Sequence, residues 1–315
     1  MTHQVLLVGQ LASIDLRAPM KSPVLRAGPY SLELSTPLCM GILNVTPDSF
    51  SDGGAFASRQ RSVGDFTVDS DKVLARAEAM VADGASILDV GGESTRPGAA
   101  PVSLQEELNR VIPVIERLRS NLDVCLSVDT SSAEVMSAAI SAGVGLVNDV
   151  RALSDTRALE MINDHAIAVC LMHMRGQPRS MQESIDDTAY DDVVDEVAAF
   201  LAERRDMCLA SGVSADRLLI DPGFGFGKSQ AHNYQLLKGL PRLQSLGLPL
   251  LVGVSRKSMI GAATGREVDN RVAGSVAAAT LALQGGAKII RSHDVAATID
   301  AIRVHSAFCG NLALE

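Results

Sequence analysis

Eight short apolar runs, alternating with segments of helical periodicity, constrain the fold of this 315-residue chain more than any other feature. Turn or helix-capping residues bound each run. Short continuous apolar runs separated by amphipathic helices are typical of a parallel sheet that is buried on both faces. The predicted strands are residues 38–43, 86–90, 124–128, 145–147, 166–172, 218–220, 249–252 and 287–290.

The predicted helices follow from apolar residues spaced three and four apart. Ser103 and Glu106 have the spacing of a capping box, and Pro113 should bend the helix that they open. Ser131 should open the next helix, and Asp294 should cap the last. The predicted helices are 73–81, which ends before Gly84, 104–118, one from Ser131, and about 189–210, 234–245, 271–284 and 295–308.

Eight βα units in series favour a single (β/α)8 TIM barrel over a doubly wound sheet. The count of eight supports the barrel, and so do polar residues at nearly every strand end rather than at one switch point. Residues 1–37 form an N-terminal extension with strand-like runs at 5–8 and 30–34. Residues 38–315 form the catalytic domain.

Composition excludes several classes of function. The net charge of −9 argues against a nucleic-acid partner or a basic membrane surface, and no apolar run reaches the ~18 residues of a membrane span. No basic segment or cleavage site marks a signal peptide. Five scattered cysteines without a CxxC pair predict thiols in a reducing cytoplasm.

Polar side chains follow the predicted strands, and in a barrel they would meet at one mouth. A lone Asp or Asn there is more often a cap or turn residue, so we predict a structural role for Asp89. His173, between two methionines, should be a hydrogen-bonded wall residue. The strand-end residues are Asn44, Asp89, Asp129, Asn148, His173, Asp221, Ser255 to Ser258, Arg291 and His293.

The charged members of this set divide into two kinds of site. Arg291 and His293, with Thr95 and Arg96 from the second loop, could form an anion cradle for phosphate or pyrophosphate. Asp129 and Asp221 have no cationic neighbours in sequence. They suit a ligand with N–H donors, such as a guanidine-like heterocycle edge, and Lys257 could then touch a ring carbonyl.

Residues 221–229, DPGFGFGKS, resemble a phosphate-binding loop only superficially. The glycine that such a loop requires five positions before Gly227 is Pro222. The glycines are therefore predicted to shape a loop beside Asp221, and Lys228 to be a surface charge.

Taken together, the strand-end motifs resemble the dihydropteroate synthase family of folate biosynthesis, from about residue 38 to the C-terminus. The motifs occur in the family's order: MGILNVTPDSFSDGG (40–54), DVGGESTRPGA (89–99), SVDT (127–130), NDV (148–150), LMHM (171–174), DPGFGFGK (221–228), GVSRKSMIG (253–261) and RSHDV (291–295).

The resemblance implies a homodimeric barrel transferase that needs Mg²⁺. Such an enzyme joins 6-hydroxymethyl-7,8-dihydropterin pyrophosphate to p-aminobenzoate and is a sulfonamide target. Carried over by motif, Asn44 meets the metal–pyrophosphate unit, and Asp129, Asp221, Lys257, Arg291 and His293 are catalytic. The implied pterin residues are Asp129, Asn148, Met172, Asp221 and Lys257; the pyrophosphate residues are Thr95, Arg96, Arg291 and His293; the p-aminobenzoate residues are Thr46, Pro47, Phe50, Pro97 and Ser258.

Loop one, residues 45–71, is predicted to be a lid because it is long and carries a Gly pair. Residues 1–21 have no counterpart in the family pattern. Two other functions remain open: a pterin-binding barrel that transfers a methyl group from methyltetrahydrofolate, and a catalytically silent pterin-binding relative. A methyl-transferring barrel would not need the predicted anion cradle. A catalytically silent relative should have lost part of loop one or of the second loop.

Overall fold

A computed structural model of the chain describes residues 24–46, 68–93, 102–176 and 190–312. Eight parallel strands close into a barrel, because the last strand of the chain pairs with the first strand of the barrel. All eight predicted strands and the barrel are confirmed, and the doubly wound alternative is excluded. The strands are β3 (Leu38–Asn44), β4 (Ile87–Gly91), β5 (Cys125–Asp129), β6 (Leu146–Asp149), β7 (Ala168–Met172), β8 (Leu218–Asp221), β9 (Leu250–Val252) and β10 (Ala287–Ser292).

A two-stranded hairpin precedes the barrel and covers its amino-terminal end. It consists of β1 (Val24–Ala27) and β2 (Tyr30–Glu33), so the predicted run at 30–34 is confirmed, while 5–8 lies outside the described residues. Leu25, Ala27 and Leu34 share one apolar cluster with a residue from every barrel strand. The hairpin approaches so closely that a Cβ on Gly145 would lie 2.4 Å from the Ala27 carbonyl oxygen.

Helices alternate with the strands around the described part of the barrel. The Ser103 hydroxyl accepts the Glu106 N–H at 3.2 Å, which confirms the predicted start of the second helix, and Pro113 lies inside that helix. The helices are α1 (Ser70–Ala82), α2 (Leu104–Asn121), α3 (Ala133–Ala142), α4 (Thr156–Asp164), α5 (Val193–Ala210), α6 (Gln230–Leu243), α7 (Ser258–Thr264), α8 (Val272–Gln284) and α9 (Val295–Phe308).

Three details of the helix prediction were wrong. The cap of α3 is Ser132, because the Ser131 hydroxyl donates to the Asp149 carboxylate instead. The short helices α4 and α7 were missed. Each buries only two residues, so neither produces a recognisable apolar stripe.

No helix in the described ranges is long and apolar enough to cross a membrane. The five cysteines all carry free thiols, and four of them are buried.

Candidate active site

Strand register places several polar residues in one row at the carboxyl end of the barrel. Asn44 pairs with Gly91, Gly91 with Asp129, and Asp129 with Asn148 along three consecutive strand pairs. A Cβ on Gly91 would lie 3.4 Å from Asn44 Oδ1 and 3.5 Å from Asp129 Cβ. A Cβ there would make ordinary van der Waals contact with both residues, which places Asn44 and Asp129 on either side of Gly91.

Arg291 joins Asp129 of this row to Asp89, which lies two residues before Gly91 on β4. Its Nε lies 2.6 Å from Asp89 Oδ2 and its Nη2 lies 2.7 Å from Asp129 Oδ2. Burial disfavours the charged guanidinium and by itself would lower the pKa of Arg291. The negative charges of Asp89 and Asp129 outweigh this effect and raise the pKa above its usual value. Asp129 has no cationic neighbour in sequence, but the fold brings Arg291, 162 residues away in the chain, to its carboxylate.

Asp89 is more than a turn residue at a strand end. Its side chain is wholly buried, and Oδ2 also accepts the Asn148 Nδ2–H at 3.1 Å. Asp89 Oδ1 and Asn148 Oδ1 are both buried and, within the described residues, have no hydrogen-bond partner. Buried acceptors without partners are costly, so these two oxygens suit N–H donors of a bound ligand.

Asp129 has a perturbed protonation equilibrium. Burial raises the pKa of Asp129 to about 7, with Asp89 adding to the effect and Arg291 opposing it. The carboxylate therefore changes charge near neutral pH in the ligand-free protein.

A third carboxylate, Asp221, ends β8 on the other side of the barrel mouth from β4. Its Oδ1 accepts the Gly223 N–H at 2.7 Å. Burial raises the pKa of Asp221, and the positive charge of Lys257 opposes this rise. Met172 ends β7 directly opposite Asp221 in the strand register and is 4% exposed.

Lys257 completes this part of the cavity. Its Nζ donates to the Phe224 carbonyl and lies 4.8 Å from the centre of the Phe226 ring. Burial lowers the pKa of Lys257 to about 8, and Asp221 opposes that shift. Both charges of the pair are held in a poorly solvated environment, where a ligand's polar edge would interact strongly with them.

His293 and its neighbours close the ring of strand ends. The Ser255 hydroxyl lies 3.1 Å from His293 Nδ1 and accepts the His293 N–H at 3.2 Å. Asp294 occupies the cap position of α9 as predicted, but its side chain forms no capping bond. It instead accepts the Arg256 Nε–H at 2.9 Å, which corrects the capping prediction.

Lys228 is not the surface charge that the sequence predicted. It is 1% exposed, and its Nζ lies 2.9 Å from His173 Nδ1. His173 is buried and hydrogen-bonded as predicted, and its ring meets the Phe200 ring edge-on. Burial, followed by the nearby Lys228, lowers the pKa of His173 to about 3.

The remaining predicted residues fall into two groups. Thr46 is buried just beyond β3, and Ser258 begins α7, where its hydroxyl accepts the Gln230 Nε2–H at 3.4 Å. The other predicted residues, together with most of the proposed lid, lie outside the described residues: Pro47, Phe50, Thr95, Arg96 and Pro97.

Comparisons with known proteins agree with this geometry. A family model for pterin-binding enzymes matches residues 40–293. A Haemophilus influenzae dihydropteroate synthase is 51% identical over 276 residues, which is 88% of this chain and 95% of that protein. Two solved structures are similar throughout.

One of these structures is a Yersinia pestis dihydropteroate synthase in a complex with a sulfonamide drug. It has a TM-score of 0.84 and 48% identity, and the match covers 91% of this chain and 99% of that one. The other is a Xanthomonas albilineans dihydropteroate synthase with 4-aminobenzoic acid. It has a TM-score of 0.82 and 51% identity, with 92% and 99% of the two chains covered.

Proposed function

The chain belongs to the dihydropteroate synthase family, and from this premise we propose how its strand-end residues divide the work of the reaction. The substrates are 6-hydroxymethyl-7,8-dihydropterin pyrophosphate and p-aminobenzoate. Pyrophosphate leaves as the new carbon–nitrogen bond forms, and 7,8-dihydropteroate is the product of this step in folate biosynthesis.

The observation that carries the proposal is the set of unsatisfied acceptors at the mouth. Asp89 Oδ1 and Asn148 Oδ1 are buried without partners among the described residues, and the Asp221 carboxylate faces the same cavity. A dihydropterin offers a 2-amino group and ring N–H donors on one edge and a ring carbonyl beside them. Asp221 accepts from the donor edge, and Lys257 donates to the carbonyl.

The chemistry needs no enzyme nucleophile. The bond between the pterin methylene carbon and the pyrophosphate oxygen breaks, the arylamine nitrogen forms a bond to that carbon, and the amine proton passes to solvent. Asp129 stabilises the positive charge that develops on the ring. Its largely buried carboxylate is ionised above its pKa of about 7, and a negative charge in such a position interacts strongly with a nearby cation. Arg291 and His293, with Thr95 and Arg96, receive the negative charge of the departing pyrophosphate.

Mg²⁺ fits this site through its substrate rather than through a protein cage. The described residues hold no cluster of three His, Cys, Asp or Glu side chains suited to a metal. Mg²⁺ prefers oxygen ligands and commonly uses one or two protein groups together with substrate phosphates. Asn44 at the end of β3 would hold the ion, which when bound would neutralise charge on the leaving group.

The p-aminobenzoate subsite is assigned to loop residues at the rim. Thr46 follows β3 and Ser258 begins α7 after β9, and only β10 lies between these two strands in the barrel. Pro47, Phe50 and Pro97 complete the assignment. The Xanthomonas albilineans relative carries 4-aminobenzoic acid and the Yersinia pestis relative carries a sulfonamide drug, which supports p-aminobenzoate as a substrate of this chain.

Two further properties belong to the proposal. We assign a cytoplasmic location because all five cysteines are unpaired thiols. We also assign a homodimer, because α8 and α9 expose the large apolar side chains Leu281, Val304 and Phe308 on neighbouring helices.

Pyrophosphate release by the purified protein tests the proposed function. With Mg²⁺ and the pterin pyrophosphate, release should depend on p-aminobenzoate and should match the dihydropteroate formed. Tight pterin binding without any release would point to the silent relative. Methyl transfer from methyltetrahydrofolate, without p-aminobenzoate dependence, would point to the other barrel.

A further inference from the structure

Lys228 is buried beneath the loop between β8 and α6, and its contacts there are to neutral acceptors. Nζ lies 2.8 Å from the Gly223 carbonyl oxygen, 3.1 Å from the Phe226 carbonyl oxygen and 2.9 Å from His173 Nδ1. An ammonium group has three donors, so these three acceptors match its hydrogen-bonding capacity. Nζ therefore ties both ends of residues 223–226 to the end of β7.

The same loop is held from the side of α6. Asn233 Oδ1 accepts the Gly225 N–H at 2.7 Å, and Asn233 Nδ2 donates to the Ser229 carbonyl at 2.7 Å. The loop also lies directly against the chain after β7, since a Cβ on Gly223 would come within 1.8 Å of the His173 carbonyl oxygen. With φ +71 at Gly223, only glycine is tolerated there without rearrangement.

The residues that Lys228 grips are the ones that meet the proposed pterin-binding side chains. Gly223 accepts from Lys228 through its carbonyl and donates to Asp221 Oδ1 through its N–H, at 2.7 Å. Phe226 accepts from Lys228 through its carbonyl, and its ring lies under Lys257 Nζ. Movement of either residue would change how Asp221 and Lys257 face the ligand.

We propose that Lys228 is a positioning residue for pterin binding, which holds residues 223–226 so that Asp221 and Lys257 keep their relative placement. The inference rests on the proposed pterin-binding role of those two residues. Lys228 itself does not touch the substrate. The cost of burying its amine is consistent with this role, because burial lowers the pKa of Lys228 well below its usual value.

A binding cycle tests the proposal. Lys228→Met keeps an unbranched side chain, one atom shorter than lysine, and removes its hydrogen-bond donors. The dissociation constant for 6-hydroxymethyl-7,8-dihydropterin, measured by calorimetry, should rise at least tenfold, and the KM for the pterin substrate should rise more than kcat falls. In a Lys257→Met background, the same change should cost less than it does in the wild type, because only the effect through Gly223 and Asp221 remains.

Two other variants separate positioning from general damage. Asn233→Ala loosens the same loop from α6 and should weaken dihydropterin binding in the same way, even if Lys228→Met fails to fold. Leu25→Ala, in the wholly buried hairpin core at the other end of the barrel, should lower Tm without changing the dissociation constant.

The outcomes separate the two proposals. Wild-type protein that does not bind dihydropterin would overturn the proposed function. Wild-type binding, with Lys228→Met and Asn233→Ala both within threefold of it, would overturn only the role of Lys228. Equal, additive losses in the wild-type and Lys257→Met backgrounds would also overturn it.

Discussion

Arg291 Nη2 lies 2.7 Å from the Asp129 carboxylate, and the two side chains are only 18% and 16% exposed. Because the same guanidinium also binds the wholly buried Asp89, one cation compensates two carboxylates at the mouth of the barrel. Arg291 is therefore a neighbour of the proposed pterin-binding residues as well as a candidate for binding the pyrophosphate. An anion that drew Arg291 outward would leave Asp129 more negative toward the pterin ring.

The first prediction concerns stability. Arg291→Met leaves Asp89 and Asp129 buried without their cation, so the free energy of unfolding should fall by about 3–5 kcal/mol. Urea denaturation measures this, with fluorescence from an extrinsic dye, since the chain has no Trp. Adding Asp129→Asn to Arg291→Met should recover part of the loss. A matched substitution in an exposed ion pair, Arg242→Met, should leave the urea midpoint nearly unchanged.

The second prediction concerns ligand recognition. Asp221→Asn replaces one acceptor oxygen by an N–H₂ donor that would face the donor edge of the pterin. Dihydropterin affinity should fall by about 100-fold, equivalent to about 3 kcal/mol, as measured by calorimetry. Asp216→Asn, near the start of β8 and exposed in a pair with Arg26, is the control and should bind normally. Near-normal affinity in Asp221→Asn would show that another group grips the pterin.

The sequence predicted strands better than side-chain partners, and particular residues show why. The run at 38–43 became β3 because a continuous apolar segment of that length has few alternatives to a buried strand. Lys228 was misjudged because its partners are carbonyls and a histidine ring, brought together by the loop fold. No spacing in the sequence encodes such contacts. The prediction for Asp294 was correct in position, at the start of α9, but wrong in role, because its side chain forms no capping bond.

Asp89 was predicted only as a structural residue at a strand end. It is the third of the five residues of β4, whereas Asp129 and Asp221 end their strands. Its pairing with Arg291 spans 202 residues, so only the closed barrel reveals it. The register row from Asn44 to Asn148, in contrast, follows once the eight strands and their order are accepted.

The third prediction is a bell-shaped pH dependence of kcat/KM for the pterin substrate. Asp129 must be ionised to stabilise the cationic ring, and because its pKa is about 7, activity should rise as pH rises through that value. Lys257 must be protonated to donate to the ring carbonyl, and because its pKa is about 8, activity should fall above it. The kcat/KM profile reports the ionisations of the free enzyme.

Single variants assign the two limbs. Lys257→Met should retain the acid limb and lose the alkaline one, and Asp129→Asn should do the reverse, each at reduced activity. The same limbs should appear in the binding of the pterin alcohol, whose lack of phosphate removes the ligand's own phosphate ionisation. Unchanged profiles in both variants would assign the limbs to other groups.

The fourth prediction concerns Mg²⁺. Chelation with EDTA should abolish dihydropteroate formation and weaken binding of the pterin pyrophosphate, while binding of the pterin alcohol stays within about twofold. Asn44→Ala should raise the Mg²⁺ concentration needed for half-maximal activity by about tenfold. Mutation of a residue in or next to a metal's ligand shell typically lowers metal affinity by about 10–100-fold. Asn121→Ala, at the exposed C-terminal end of α2, is the control. Equal Mg²⁺ requirements in the two variants would remove Asn44 from the metal site.

The last prediction concerns the oligomer. Ala273, Ala277 and Leu281 lie four residues apart on the exposed side of α8, and Val304 and Phe308 on α9 are 66% and 77% exposed. An apolar face of this kind is typical of a two-fold interface, in which the same patch of each subunit meets its copy. The wild-type chain should therefore sediment as a dimer at micromolar concentration.

Charge placed on that face should separate the subunits. Leu281→Glu would bring two carboxylates to the apolar interface, so the protein should sediment as a monomer. Met207→Glu, on the exposed side of α5, has a similar exposed fraction and should leave the dimer intact. Because the α8–α9 face does not include the pterin-binding strand ends, dihydropterin affinity in the Leu281→Glu monomer should remain within about threefold of wild type. A wild-type monomer, or a Leu281→Glu dimer, would place the interface elsewhere or remove it.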